Sequence, residues 1–171
     1  ALPICIAMAL PNGKVTYRNI HLPTREKKAI ASGVKFELED ELPMDSDTIQ
    51  FDSAVVKQDR AGSDVYVAAT TRGHIVQLLE EMQPMGVDPD LITSEGWAFR
   101  GFFNRVLTPD LQEHPVLLVH IGHESTILYL HHQSRPVFTK ELNWGGKDIN
   151  LAICQKYQIP IEQAEGAKLD H

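Results

Sequence analysis

A glycine turn between two apolar runs is the feature of this sequence with the clearest chemical potential. Residues 116–121 are apolar except for one polar side chain, and Gly122 follows at their end. Ser125 and Thr126 then lead directly into a second apolar run, 127–130. A strand that turns at glycine and offers hydroxyl and backbone N–H groups at its tip can hold phosphate oxygens. The pattern therefore predicts a phosphate-binding β-hairpin.

A second flexible bend, Gly145-Gly146, stands directly before an amphipathic helical pattern. A helix N-terminus carries a partial positive charge and N–H groups that favour anions. We therefore expect the hairpin tip and the twin-glycine bend to face a common pocket. The pattern leaves one alternative open, which is a pair of ordinary turns in which Ser125 and Thr126 only cap or pack.

Composition narrows the class of protein. A net charge of −7 over 171 residues, with no concentrated basic face, argues against nucleic acid as a partner. No apolar run reaches the ~18–20 residues that span a bilayer, and no charged-then-apolar leader is present. Cys5 and Cys154 lie in apolar runs without CxxC spacing, which is typical of buried thiols in a reducing compartment. We expect a cytoplasmic protein, and the ends at Ala1 and His171 suggest a fragment of a longer one.

The first half of the chain predicts a small unit of strands and helices. The dipeptide Asn12-Gly13 lies between two apolar stretches, which favours a β-hairpin over residues 4–22. Thr24 is a candidate N-cap for a helix that ends before Pro43. Ile30, Val34 and Leu38 share one face of that helix. The remaining elements expected here are strands at 48–56 and 65–69 and a helix over 75–82.

The second half predicts a helix, three strands and two more helices. A break at residues 88–89 divides the chain into a small subdomain, 1–87, and a second unit, 88–171. Ser94 should cap a helix that buries most of its circumference through large apolar side chains as far as Val106. Strands are expected at 116–122, 126–131 and 136–142, and helices at 147–157 and after Pro160. This order predicts an α/β chain containing half of an actin-like, ribonuclease-H-like nucleotide-binding domain.

Two other chemistries find little support. The eight histidines suggest a metal site, but neighbours such as His131 and His132 point to opposite faces of a strand. Ser125 has His123 nearby, but a strand follows it, so the strand-turn-helix elbow of a nucleophile is missing. We therefore expect neither a metal site nor a catalytic residue.

Several motifs together carry a resemblance to a known family. The first half contains residues 15–23, the segment 41–47 and residues 67–70 followed by Gly86. The second half contains Ile121-Gly122 with Ser125-Thr126, then Phe138-Thr139, Leu142, Gly145-Gly146, Ala164-Glu165 and Lys168. On these residues the chain resembles PilM, the actin-like cytoplasmic component of type IV pilus assembly, and its type II secretion relative GspL.

The resemblance implies a nucleotide cleft with one departure. The family binds ATP with Mg²⁺, and the matching contacts in this chain would be Gly122, Ser125, Thr126, Gly145, Gly146, Glu165 and Lys168. The family's phosphate loop usually carries Asp where this chain has His120, and an imidazole is a poor substitute for a carboxylate in the water shell of Mg²⁺. A partial or degenerate cleft and a non-catalytic role are the expectation.

The resemblance also implies partners and a location. The chain would belong to a scaffold at the cytoplasmic face of the bacterial inner membrane. Exposed strand edges or grooves of its small subdomain and of the neighbouring unit would bind the N-terminal tail of a PilN-like membrane protein. The scaffold would also communicate with the assembly ATPase. Two alternatives stay open, a GspL-like component of type II secretion and an active actin-like ATPase in the full-length protein.

Overall fold

The computed structural model describes residues 5–41, 48–106, 108–133 and 135–169, which fold as a mixture of α and β elements. The predicted α/β class is confirmed. The strands are β1 Ala7–Leu10, β2 Thr16–Leu22, β3 Ile49–Gln58, β4 Ser63–Thr71, β5 Leu91–Ser94, β6 Val116–Ile121, β7 Thr126–His132 and β8 Arg135–Leu142. The helices are α1 Lys27–Glu41, α2 Arg72–Met82, α3 Glu95–Val106, α4 Pro109–Gln112, α5 Gly146–Tyr157 and α6 Ile161–Leu169.

The described strands form three sheets. β1 pairs with β5 in parallel. The insert sheet, β2-β4-β3, is antiparallel with β4 at its centre, and the tip sheet, β6-β7-β8, is antiparallel with β7 at its centre. Because β1 and β5 lie on either side of residue 87, their pairing crosses the predicted subdomain boundary, which stays a prediction.

The insert sheet is held by α1, which packs across one face of it. Ile30, Val34 and Leu38 recur every fourth residue and are buried, as the sequence predicted. They meet the alternate side chains of β4, because strand residues two apart share a face. Each fully buried aliphatic side chain stabilises the fold by roughly 1.5–3 kcal/mol. The shared core is Ile20, Leu22, Ile30, Val34, Leu38, Val65, Val67 and Ala69.

The hairpin predicted over residues 4–22 is wrong. β1 pairs with β5 and β2 pairs with β4, and Asn12–Lys14 forms a short 3₁₀ turn between them. A two-residue hairpin turn needs left-handed backbone at Asn12 and Gly13, and neither residue has a positive φ. Asn12 is instead buried, and its Oδ1 accepts hydrogen bonds from Tyr17 Oη at 2.5 Å and from Gly96 N at 3.3 Å.

Smaller corrections concern the helices. α3 buries Gly96 and Phe103, but Phe102 and Val106 are 51% and 55% exposed, so it does not bury most of its circumference. Thr24 Oγ1 accepts a hydrogen bond from Glu26 N at 3.3 Å, although α1 begins only at Lys27. Two ends of the predicted elements lie outside the described residues. They are residue 4, where the hairpin was expected to begin, and Pro43, before which the first helix was expected to end.

Stacked aromatic rings join the insert sheet to α3. The rings of Tyr17 and Tyr66 are 5.9 Å apart and nearly parallel, and those of Tyr66 and Trp97 are 5.6 Å apart. The guanidinium of Arg100 lies 5.5 Å from the Trp97 ring centre, within cation–π range. Burial raises the pKa of the Tyr66 hydroxyl, which forms a hydrogen bond of 2.9 Å with Thr139 of β8. The stack therefore fixes the insert sheet against both α3 and the tip sheet.

A polar clasp joins the same two sheets farther along β4. Asp64 accepts a hydrogen bond from His21 at 2.7 Å and pairs with Arg135 of β8 at 3.4 Å. Asn19 Nδ2 donates to the carbonyl oxygen of Val137 at 2.8 Å. β4 thus contacts the tip sheet at two separate positions along its length.

Candidate functional site

The hairpin tip and the twin-glycine bend meet in direct backbone contact. Gly122 N donates to Ser125 O at 2.8 Å and closes the tip between β6 and β7. Gly146 N donates to Gly122 O at 2.8 Å, and Lys147 N donates to His123 O at 2.9 Å. The expectation that the two bends come together is confirmed, although they touch each other rather than face across an open pocket.

Gly145 is required by this close approach. A Cβ atom there would lie 2.6 Å from His123 O and 2.7 Å from Gly122 O, distances at which backbone has to move. The φ of Gly145 is −157°, an extended value open to any residue, so space and not backbone conformation selects glycine. The contact between the tip and the start of α5 therefore depends on the absence of a side chain.

The first turn of α5 uses its N–H groups within the chain. Asp148 Oδ2 accepts a hydrogen bond from Gly145 N at 2.8 Å, and Asp148 N donates to Gly145 O at 3.0 Å. The next two N–H groups, of Gly146 and Lys147, are those bonded to the hairpin tip. The side chain of Asp148 also places a carboxylate where an anion would have to bind. In this arrangement the helix N-terminus holds the hairpin tip and offers no free donor from these four residues.

Thr126 serves the same contact through its side chain. It is 3% exposed, and its Oγ1 donates to Trp144 O at 2.7 Å. This bond ties the start of β7 to the residue before the twin-glycine bend. Ser125 is half-buried and contributes its carbonyl oxygen to the tip. The hydroxyl of Thr126 is therefore committed to the backbone.

Glu165 and Lys168 lie beside the bend, on α6. Lys168 Nζ and Asn150 Nδ2 each donate to Glu165 Oε2 at 2.7 Å. These hydrogen bonds, with that of Lys168 the larger, lower the pKa of the Glu165 carboxyl. Lys168 Nζ is 3.6 Å from the position that a Cβ of Gly146 would take. The predicted residues 122, 145, 146, 165 and 168 thus gather in one place.

Sequence reasoning missed Asn150, which links α5 to α6. It is 6% exposed and lies between two apolar positions of α5, Ile149 and Ile153. A polar residue on an apolar helix face is the signal that could have found it, since buried polar groups need partners.

His120 does not supply an oxygen ligand. Its ring packs 5.9 Å from that of Phe99 on α3, tilted by 55°. Hard cations such as Mg²⁺ prefer oxygen donors. In the described part of the chain, no three His, Cys, Asp or Glu side chains are grouped as metal ligands. The residues at the bend do not fit an ATP–Mg²⁺ site, because the N–H groups of residues 145–148 and the Thr126 hydroxyl bond within the chain and the expected carboxylate is an imidazole.

An open apolar groove of about 310 Å³ lies between the insert sheet, the β1–β5 pair and α3. We call this recess the apolar groove. Ala68 and Thr70 line it from the insert sheet, Leu10 and Ile92 line it from the β1–β5 pair, and Trp97 lines it from α3. Its walls come from segments far apart in sequence, so local patterns could not reveal it.

A buried histidine on β7 packs against α3. His131 is 1% exposed, and its ring stacks 5.2 Å from that of Phe103. Burial lowers the pKa of His131, with smaller contributions from Arg100 and His132. Neither ring nitrogen has a hydrogen-bond partner among the described residues. The neutral imidazole is therefore the form that the fold accommodates.

A family model for the type IV pilus assembly protein PilM matches residues 4–171. The chain belongs to this family. The fold matches that of a PilM–PilN type IV pilus biogenesis complex with a TM-score of 0.77 and 25% identity, over 98% of this chain and 51% of that one. This chain thus spans about half the length of that relative. No curated protein sequence matches it significantly.

A second solved structure has the same fold. It is the cytoplasmic domain of EpsL, an inner-membrane component of the type II secretion system of Vibrio cholerae. The TM-score is 0.56 and the identity 13%, over 91% of this chain and 57% of that one. The actin-like α/β fold expected from the resemblance is confirmed. Among the described residues of this chain, no helix is both long and apolar enough to cross a membrane.

The glycine bend gives a first prediction. Gly145→Ala should lower the free energy of unfolding by about 1–3 kcal/mol, because the added methyl group overpacks against two carbonyl oxygens. Gly166→Ala is the matched control, since a Cβ there meets nothing within 4 Å, and it should be neutral or stabilise α6 by about 0.5–1 kcal/mol. Urea denaturation checks both, and equal stability of the two variants would contradict the contact.

The buried histidine gives a second prediction. The pKa of His131 is lower in the folded chain than its ordinary value of about 6.5, so the unfolded chain binds a proton first as pH falls. The stabilisation is complete above about pH 6.5 and is lost as pH falls through the folded-state pKa. His131→Phe should reduce the slope of unfolding free energy against pH, measured by urea denaturation. The exposed residue His114 provides the control, His114→Gln, and an unchanged slope in His131→Phe would refute the prediction.

Proposed function

We propose that this chain is part of a non-catalytic scaffold in a type IV pilus assembly platform. It binds the N-terminal cytoplasmic tail of a PilN-like membrane protein in the apolar groove. The scaffold acts at the cytoplasmic face of the inner membrane and communicates there with the assembly ATPase. Membership of the PilM family and the likeness to a PilM–PilN complex support the choice of system and partner.

The apolar groove is the observation that carries this proposal. Its lining is mainly aliphatic and aromatic and is open to solvent, which is the kind of surface that buries apolar side chains of an extended peptide. It also adjoins β3, which is an edge strand of the insert sheet in the described residues. An edge strand offers unpaired backbone groups to an added strand.

The glycine bend supports a structural role over a catalytic one. In the arrangement described above, the N–H groups of residues 145–148 bond within the chain, and Thr126 Oγ1 bonds to Trp144 O. A phosphate group would have to break these bonds to gain the same donors. We infer that the cleft is degenerate in this half of the protein.

A component of type II secretion is the second candidate, favoured by the fold shared with EpsL. That likeness is weaker than the likeness to the pilus complex, at a TM-score of 0.56 against 0.77. The family model also describes a pilus protein. We therefore place the pilus system first.

Tail binding should depend on the space over Ala68, which we call the floor of the apolar groove. A synthetic peptide of the N-terminal tail from a PilN-like protein of the same organism should bind wild type, measured by fluorescence anisotropy. Ala68→Leu should weaken this binding at least tenfold, because the larger side chain fills the floor. Ala98→Leu, on the exposed face of α3, is the matched control and should bind normally. Equal binding by both variants would place the tail elsewhere, and no binding by wild type would overturn the proposal.

Nucleotide binding should be absent from this chain. Calorimetric titration with Mg-ATP should give no heat, because the N–H groups of residues 145–148 and the Thr126 hydroxyl already bond within the chain. Micromolar binding that is lost in Lys168→Gln would contradict a degenerate cleft. Lys168 is the better test position, since a substitution at Gly145 would disturb the bend itself.

A further inference from the structure

We infer that Asp52 selects the charge of the tail, so that the apolar segment held in the groove carries a Lys or Arg that lies beside this carboxylate. This inference rests on the proposed function, because it assigns the chemistry of the partner that fills the same groove. Asp52 lies on β3, at the edge of the insert sheet, and it lines the groove.

The register of the insert sheet points Asp52 into the groove. Asp52 pairs across the sheet with Ala68, and Gln50 pairs with Thr70. Directly opposed residues share a face, and all four line the groove. Because the side chain of Ala68 is a single methyl group, the space in front of the Asp52 carboxylate stays open.

Asp52 is the one charged residue among the described residues that line the groove. The other described residues that line the groove are apolar or neutral polar. Asp52 Oδ1 accepts a hydrogen bond of 2.7 Å from the neighbouring Ser53 N, and no basic side chain of the described residues forms an ion pair with Asp52. A carboxylate without a counter-charge beside an apolar surface favours a cationic group and disfavours an anionic one.

Edge-strand pairing would set the position of that cationic group. Gln50 and Asp52 are alternate residues of an edge strand, and both line the groove. An extended peptide that pairs with this edge presents alternate side chains to the groove. One apolar side chain of the peptide could then occupy the space over Ala68. A basic side chain two positions along the peptide would lie beside Asp52.

The test is a double-mutant cycle between tail and groove. The tail peptide is used with each Lys or Arg replaced in turn by Gln, and its affinity is measured for wild type, Asp52→Asn and Asp52→Lys. Exposed ion pairs contribute about 0.2–1 kcal/mol, so one replacement should weaken binding to wild type up to about fivefold. The same replacement should have no effect on Asp52→Asn. Glu162→Lys, a charge reversal on α6 far along the chain from the groove, should behave as wild type.

The outcomes separate this inference from the proposed function. Loss of affinity in Asp52→Lys that is stronger at low salt than at high salt would support charge selection. Equal losses for every peptide in wild type and Asp52→Asn would overturn the role of Asp52 while leaving the groove as the tail site. Binding that is lost in Ala68→Leu but unchanged in Asp52→Lys would likewise overturn the role of Asp52 alone. Failure of wild type to bind the unaltered tail would overturn both.

Discussion

The stacking of Tyr17, Tyr66 and Trp97 is the contact on which the arrangement of the chain depends. Each stacked pair contributes about 0.5–1.5 kcal/mol beyond its burial, and the rings come from β2, β4 and α3. Gly96 makes the approach possible, because a Cβ there would lie 2.7 Å from the Tyr17 ring. The stack sets the distance between the insert sheet and α3, and the apolar groove is the space that this distance leaves open.

The glycine bend is a backbone contact between two parts of one chain, made by the kind of residues from which a phosphate loop is predicted. Gly122, Gly145 and Gly146 are the residue types that a phosphate loop needs, since each lets backbone approach closely. Here the group that approaches is the chain's own backbone, held by two hydrogen bonds from the start of α5 to the hairpin tip. A motif of glycines and hydroxyls therefore predicts that another group lies close to the backbone there. The hydrogen-bond partners then identify that group.

Local sequence patterns predicted the elements well and their long-range pairing poorly. The four-residue spacing of Ile30, Val34 and Leu38 identified the buried face of α1, and the glycines identified the meeting of tip and bend. The dipeptide Asn12-Gly13 led to a wrong hairpin prediction. The Asn12 side chain is bonded to Gly96 N, which is remote in sequence, so a local turn rule cannot include it. The apolar groove could not be predicted from sequence for the same reason, since its walls come together only when β1 pairs with β5.

The central position of β4 has a mechanical consequence. The strand is hydrogen-bonded along its length to β2 on one side and to β3 on the other, and it reaches from the clasp at Asp64 to the groove at Ala68. Tension applied along this strand would load both ladders in shear, so many hydrogen bonds would resist together instead of opening one by one. Under the proposed function, a pull on a tail paired with β3 would act along the strands, the direction in which the sheet resists most strongly.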